Sequence, residues 1–279
     1  RGEYSFSEAL RRFGNKTIEV FEEHRKSYKG MKEFIIENGI QCDMMEKGSV
    51  DYSKAEDAEF TASVEALRKL GYREGADFHV LGENEIRADY MDTPYFTRGI
   101  WVPGMTVNPL AFCRGAARAA ASKGAIIYEN SPVMGVRPEN KAVCIQTRDK
   151  VMEAGNVIIA TSPYTVDIEG IPGAVKKIVA PIFQPVAVSK PLPEGLVKSM
   201  AGWSDSSEDA GLGYAFGRPH DHHGERRLLF SNGVIQNARR SKPKPDIEAH
   251  ERFLKELFPD ADIGIEYVSG GFIGQTPDE

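Results

Sequence analysis

The sequence predicts an α/β protein whose later part has α+β character, and three observations carry that reading. Between Val107 and Thr161 a capped helix, a β-branched strand, a short β excursion and a continuous apolar strand follow one another. After Pro172 the pattern changes to long alternating segments, "KKIVAPIFQPVAVS", "GYAFGR" and "RRLLFSNGV", which read as antiparallel strands. From Ser7 to Asn38 apolar residues recur at helical spacing through Leu10, Phe13, Ile18, Phe21, Tyr28, Met31, Phe34 and Ile35.

That first helical stretch is interrupted by Gly14 and Gly30, so it is one long helix or two broken ones. "GIQCDMMEKGSVDYS" gives two short extended pieces around Lys47-Gly48. Ser53 is the expected cap of a second helix reaching Leu70, with Gly71 as its stop. A short helix follows Gly82. Asn108 and Pro109 form an N-cap and first helical residue, and "LAFCRGAARAAASKG" offers small side chains on the face expected to lie against a sheet. Strands are expected at "AIIYE", "PVMGV", "AVCIQT" and "NVIIAT", the last as a strand covered on both faces. Asp246 to Phe258 is an amphipathic helix, and "IEYVSGGFIGQTPDE" turns into a Gly-rich loop.

Composition excludes several function classes. With 279 residues and 41% hydrophobic content the chain buries a substantial core. Its longest apolar runs fall far short of the roughly 18 residues of a membrane span. A formal net charge of -6 argues against a nucleic-acid partner. The richest basic stretch, Arg239 to Pro245, alternates with prolines as a solvated linker does. Three cysteines, Cys42, Cys113 and Cys144, make no CxxC pair, and a reducing cytoplasm is the simplest home. His220, Asp221, His222 and His223 are read as a hairpin tip rather than a metal site, because a tetrahedral site needs three or four converging ligands. No GxSxG elbow or Cys-His grouping supports hydrolase chemistry.

Four stretches, "GIQCDMMEKGSVDYS", "VNPLAFCRGAARAAASKGAIIYENSPV", "NVIIATSPYT" and "GGFIGQTPD", together resemble the FAD-dependent oxidoreductases of the D-amino-acid oxidase, glycine oxidase and sarcosine oxidase superfamily. The likeness is greatest to the gamma-glutamylputrescine oxidoreductase branch. It implies a partial FAD/NAD(P)-binding-type sheet joined to an antiparallel substrate-type sheet. The implied division is a helical segment with connecting strands at 1–98 and the remaining part of an FAD-binding domain at 99–172. A substrate-type domain at 173–265 and the start of a return to the FAD-binding domain at 266–279 complete it. The resemblance places Val133 beside the adenine end of FAD, Ala160 and Thr161 near the pyrophosphate, and Thr276 and Asp278 of the terminal motif at the cofactor. Physically, small residues at a strand's carboxyl end permit close backbone approach to a ligand, and a strand-head valine packs on an adenine ring while its main chain meets the base edge. Without the resemblance, ordinary core packing accounts for all three of Val133, Ala160 and Thr161.

Tyr214, Phe216 and Arg218 alternate on one expected strand and share a face. The resemblance makes that face a wall of the substrate cavity: Tyr214 as a hydrogen-bond donor, Phe216 as a cover, Arg218 as the holder of an anionic group. Plain packing with a surface arginine is the alternative. Ile273 stands where many amino-acid-oxidising relatives carry an arginine for the substrate carboxylate. That favours an amine, or a substrate whose carboxylate lies elsewhere.

Two departures bear on the cofactor. No GxGxxG occurs in the sequence, and "GLGYAFG" from Gly211 has the wrong spacing and a β context. The terminal motif ends at Glu279, where relatives continue toward the flavin ring. The expectation is therefore a fragment cut at both ends that binds FAD poorly or not at all by itself. The intact enzyme is expected to oxidise the CH–NH bond of a small-molecule amine or amino acid by hydride transfer to flavin. The alternatives are an FAD-dependent 2-hydroxy-acid or glycerol-phosphate dehydrogenase, and a noncatalytic binding module that has lost the cofactor site.

Overall fold

The structure, a computed structural model, describes residues 5–54, 58–178, 180–205, 215–233 and 244–275. Tyr214, Thr276 and Asp278, and the linker expected at 239–245 as far as residue 243, lie outside the described residues. The chain divides into two compact units. The first comprises residues 1–122, 185–233 and 245–269; the second comprises 123–184, 234–244 and 270–279.

The first unit opens with α1 (Phe6–Phe13), whose N-cap Ser5 accepts a 3.1 Å hydrogen bond from the Glu8 amide. Gly14, at φ 54°, ends it, and α2 (Lys16–Glu37) runs unbroken through Gly30. The expected interruption at Gly30 is absent: one glycine costs a helix only about 1 kcal/mol, which flanking good helix formers outweigh. Strand β1 (Ser49–Ser53) ends on the residue expected to cap the next helix. Ser53 instead pairs with Arg98, and α3 (Ala58–Lys69) is described from Ala58. Gly71, at φ 84°, closes α3 as expected, with the Tyr72 amide bonded to the Leu67 carbonyl.

After β2 (His79–Gly82), α4 (Glu83–Glu85) passes into a π-helical turn at Ile86–Tyr90, and β3 (Arg98–Val102) follows. Helix α5 (Pro109–Ser122) is capped by Asn108, whose Oδ1 accepts from the Ala111 amide at 3.2 Å. At Gly115 its small-residue face meets Ile40 rather than a strand: an added Cβ would stand 2.3 Å from Ile40 Cγ2. Phe112 on α5 contacts Phe34 on α2 edge to face at 6.4 Å.

In the second unit, β4 (Val133–Glu139), β5 (Ala142–Thr147) and β6 (Val151–Ala154) form a three-stranded antiparallel sheet. A 3-10 turn at Ser162–Asp167 and α6 (Gly173–Ile178) follow, and Val136, Ile168 and Ile171 make the local core. Residues 125–128 and 156–161, expected as strands, carry no strand assignment. Most of their side chains are exposed, with Ile126 at 76% and Ile158 at 92%. An apolar run becomes a strand only when its N–H and C=O groups find a ladder partner, and among the described residues neither segment has one.

The remaining strands are β7 (Ala180–Ser189), β8 (Gly202–Asp205), β9 (Ala215–His222), β10 (Glu225–Asn232) and β11 (Ile265–Gln275), with α7 (Ile247–Leu257) before the last. The eight-stranded mixed sheet has the order β11-β7-β10-β9-β8-β1-β3-β2. The β1–β3, β2–β3, β8–β9, β9–β10 and β7–β10 pairings are antiparallel, and β1 runs parallel to β8. The His223–Gly224 turn between β9 and β10, with φ of 51° and 81°, is the hairpin tip expected from the histidine-rich run. The terminal glycines form no loop: Gly270 lies within β11, where a Cβ would come 2.4 Å from Phe183 Cζ and 2.7 Å from the Gln184 carbonyl oxygen. Glycine there permits close strand approach.

Candidate functional site

Alternation along the strands of the first unit separates an apolar face from a polar one. Val50, Tyr52, Ala187, Trp203, Ala215, Leu228 and Phe230 join one core with Phe253, Leu254 and Leu257 of α7. The intervening residues Ser49, Asp51, Ser53, Ser204, Phe216, Arg218, His220 and Ser231 therefore belong to the opposite face. Over β3 that face is closed by Ile100 and the cluster of Phe6, Phe60 and Leu67 from α1 and α3. Across β1, β8 and β9 it carries polar groups.

Phe216 and Arg218 share this face as expected. Phe216 pairs across the ladder with Ser204 and Ser231, Arg218 with Leu229. Arg218 is half-buried, and its Nη1 is a buried atom with no hydrogen-bond partner. Burial lowers the guanidinium pKa below its ordinary value, opposed by the charge of Asp43. The alternative of a surface arginine does not describe a nitrogen withdrawn from water in this way. His220, two residues on, is held below the usual imidazole value by burial, then by Arg218 and His222, with Asp43 and Asp221 opposing.

Sequence reasoning passed over Asp51, Ser204 and Thr106. Asp51 is 8% exposed and accepts a hydrogen bond from the Ser204 hydroxyl. A carboxylate at an inward position of a strand is itself a signal, since buried Asp is rare unless partnered. Thr106 had no local signal: its Oγ1 is buried without a partner, which depends on neighbours remote in sequence. Among the described residues no group of His, Cys, Asp and Glu is arranged to hold a metal.

The second unit holds Val133, Ala160, Thr161 and Ile273. Val133, 36% exposed, heads β4 opposite Thr147. Ala160 is exposed on irregular backbone, and Thr161 Oγ1 lies 2.8 Å from Thr165 Oγ1 at the start of the 3-10 turn. Core packing, the alternative for all three, describes none of them. Ser162 has φ 47°, a left-handed conformation uncommon outside glycine, and its Oγ accepts from the Gly274 amide at 3.2 Å. The residues after "NVIIA" are thus brought beside the glycine that follows Ile273, which is 38% exposed. Backbone of small residues without ladder partners fits the edge of a nucleotide cofactor, where main-chain amides and carbonyls are the recognising groups. It supplies no substitute for the glycine-rich anion nest, whose motif the sequence lacks.

A cavity of about 510 Å³ lies elsewhere in the first unit, lined by Phe6, Phe21, Tyr28, Leu67, Tyr72 and Val102 among others. None of the expected site residues lines it.

Comparison with known proteins assigns the class. The fold is shared with the L-proline dehydrogenase of P.horikoshii at a TM-score of 0.72, with 18% identity over 91% of this chain and 67% of that one. It is shared equally with glycine oxidase from Geobacillus kaustophilus, at 0.72 and 18% identity, covering 99% and 70%. NikD, an amino acid oxidase of nikkomycin biosynthesis, gives 0.72 at 15% identity, covering 93% and 68%. These three likenesses establish a shared fold. More particularly, the chain belongs to the DAO family, FAD dependent oxidoreductase, which it matches over residues 6–279. Two curated relatives are each called probable oxidoreductase OrdL. The one from Rhizobium meliloti is 28% identical over 172 residues and the one from Haemophilus influenzae 24% over 175. In both cases the match covers 61% of this chain and 38% of the relative's length. Among the described residues no helix is long and apolar enough to cross a membrane.

Proposed function

We propose that this chain supplies the substrate-binding sheet and part of the cofactor edge of an FAD-dependent amine or amino-acid oxidoreductase. The observation that carries the reading is Arg218: a desolvated guanidinium nitrogen without a partner, on a polar sheet face beside Phe216, in a chain of this family. Such a group binds an anionic substituent with little competition from water. Ile273 in the arginine position of many amino-acid-oxidising relatives agrees with recognition of the anion from the sheet instead.

When bound, FAD supplies the acceptor for a hydride equivalent from the carbon bearing the amine, and water then hydrolyses the resulting imine. This chain's residues bind and orient the substrate. Arg218 anchors its anionic end, Phe216 excludes water beside it, and Asp51 with Ser204 provides a second polar point on the same face. Ala160, Thr161 and Ser162 contribute main-chain contacts at the cofactor edge, joined by Val133 on the adenine side.

The test is anaerobic mixing of the flavin-loaded enzyme with amines, amino acids, 2-hydroxy acids and glycerol phosphate while flavin absorbance is followed. Reduction by amines or amino acids supports the reading. Reduction by hydroxy acids or glycerol phosphate alone selects the alternative dehydrogenase, and no reduction by any of them selects a binding module. The 279-residue chain purified by itself is expected to carry substoichiometric flavin, because the pyrophosphate nest is absent from its sequence. A stoichiometric yellow protein overturns that expectation.

A further inference from the structure

Helix α2 presents Phe21, His24, Arg25, Tyr28 and Lys29 along one face, at helical spacings of three and four residues. That stripe forms one wall of the cavity of about 510 Å³ in the first unit. Phe6 of α1, Leu67 of α3, Tyr72 beyond it and Val102 at the end of β3 supply the others. The volume lies in the range of small-molecule sites. Phe6 meets Phe21 edge to face at 5.4 Å, and Phe21 meets Tyr72 edge to face at 6.3 Å.

Along the stripe the chemistry changes from apolar to cationic. Arg25 and Lys29 are exposed, so they stand at the open end of the cavity. The Arg25 Cζ lies 5.9 Å from the centroid of the Tyr72 ring. Its ion contacts, 3.5 Å to Glu22 and 3.8 Å to Asp77, are both longer than the roughly 2.7–2.9 Å of a charge-assisted hydrogen bond. Lys29, one turn on, comes no nearer than 3.8 Å to Glu33. Lys26, by contrast, is committed to Glu23 at 2.6 Å. Asp77, the carboxylate among the described lining residues, is engaged by the Arg73 amide at 3.0 Å. Two cations with distant partners therefore flank an apolar interior, and solvent-exposed pairs of this kind are readily exchanged.

We propose that this cavity binds a singly charged aliphatic amphiphile, the chemistry of a medium-chain fatty acid. Its chain lies against Phe6, Phe21, Leu67 and Val102, and its carboxylate is taken by Arg25 and Lys29. The cations disfavour a positively charged ligand. The rings, inclined at 63° and 69° to one another, offer no parallel pair between which a planar aromatic could slide. From Phe21 to Lys29 the helix rises about 12 Å, which an extended carboxylate of roughly eight to ten carbons spans. Asp51, Phe216 and Arg218 do not line the cavity, and the binding needs no flavin, so it stands independently of the oxidoreductase reading.

The experiment titrates hexanoate, heptanoate and octanoate, with octan-1-ol as the uncharged control, into the 279-residue chain by calorimetry. One molecule per chain is expected, with affinity rising about fourfold for each added methylene withdrawn from water. Octanoate should bind about fivefold more tightly than octan-1-ol, the scale of two exposed ion contacts. The double variant Arg25→Gln/Lys29→Gln should bring octanoate down to the affinity of the alcohol and leave the alcohol unchanged, which a loss of structure would not do. Val102→Trp, placed to fill the cavity, should weaken both ligands about tenfold or more while the unfolding midpoint is kept; if that variant does not fold, the charge variant decides. Naphthalene-2-carboxylate should bind more weakly than octanoate. No binding, equal affinity for octanoate and octan-1-ol, or octanoate binding indifferent to the charge variant overturns the proposal. So does tighter binding of the planar anion. Uptake of several octanoates per chain, untouched by the charge variant, would place the ligand on exposed side chains such as Ile126 and Ile158 instead and equally refute the site.

Discussion

Ser162 Oγ accepts a hydrogen bond from the Gly274 amide, 3.2 Å away and 112 positions along the chain. The serine holds φ 47°, so the contact fixes a backbone conformation that a side chain ordinarily disfavours. Ser162→Gly is expected to be close to neutral, because relief of strain offsets loss of one exposed hydrogen bond. Ser162→Val should destabilise by about 1–2 kcal/mol, since a β-branched residue tolerates that conformation least. Chemical denaturation of the two variants measures the difference, and equal stabilities would remove the strain argument.

Gly115 on α5 is expected to resist even the smallest enlargement. With Ile40 Cγ2 at 2.3 Å from the Cβ position, Gly115→Ala forces the helix or the Ile40 segment to move. The expected loss is about 1–3 kcal/mol despite the better helix propensity of alanine. A gain in unfolding midpoint would show that α5 and Ile40 are not in contact.

Ile158 looks like core in the sequence and stands 92% exposed in the structure. Ile158→Lys in this chain is therefore expected to change stability by no more than about 0.5 kcal/mol. A loss of several kcal/mol in the unfolding free energy from urea denaturation would mean that the segment is buried as a strand after all.

His220 gives the pH dependence of the polar face. Burial, Arg218 and His222 hold its pKa below the model-peptide value of about 6.5. A depressed folded pKa favours the neutral ring, so its contribution to stability is complete above about pH 6.5 and is lost as the pH falls through the folded value. His220→Gln should shrink the drop in unfolding midpoint between pH 7.5 and pH 5. Asp43 and Asp221 oppose the shift, so removing either carboxylate is expected to enlarge the drop. Identical pH profiles for wild type and His220→Gln would exclude this histidine as the titrating group.

What could be read in the sequence was what neighbours along the chain decide. The Ser7 to Asn38 helices, the Asn108 cap, the amphipathic helix from Asp246, the His223–Gly224 turn and the shared face of Phe216 and Arg218 all follow from spacing of a few residues. Family membership was legible because four motifs kept their order. The errors arose where a partner decides. "NVIIAT" has the composition of a buried strand, yet composition does not supply a ladder. The Gly270 strand was read as a loop because its reason for glycine, the ring of Phe183, lies 87 residues earlier by numbering. Thr106 went unnoticed because its buried hydroxyl and its approach to Gly202, remote in sequence, leave no local pattern.

The parallel pairing of β1 with β8 has a kinetic consequence. The hydrogen bond from Ser204 to Asp51 spans 153 positions, so this part of the polar face cannot assemble until most of the chain exists. At ribosomal rates of about 5–20 residues per second, Asp51 waits on the order of 10–30 seconds for its partner strand to be synthesised. Throughout that interval a nascent chain carries a half-apolar β1 with one edge open on the β8 side, so passage through synthesis without mispairing becomes a property selected together with recognition.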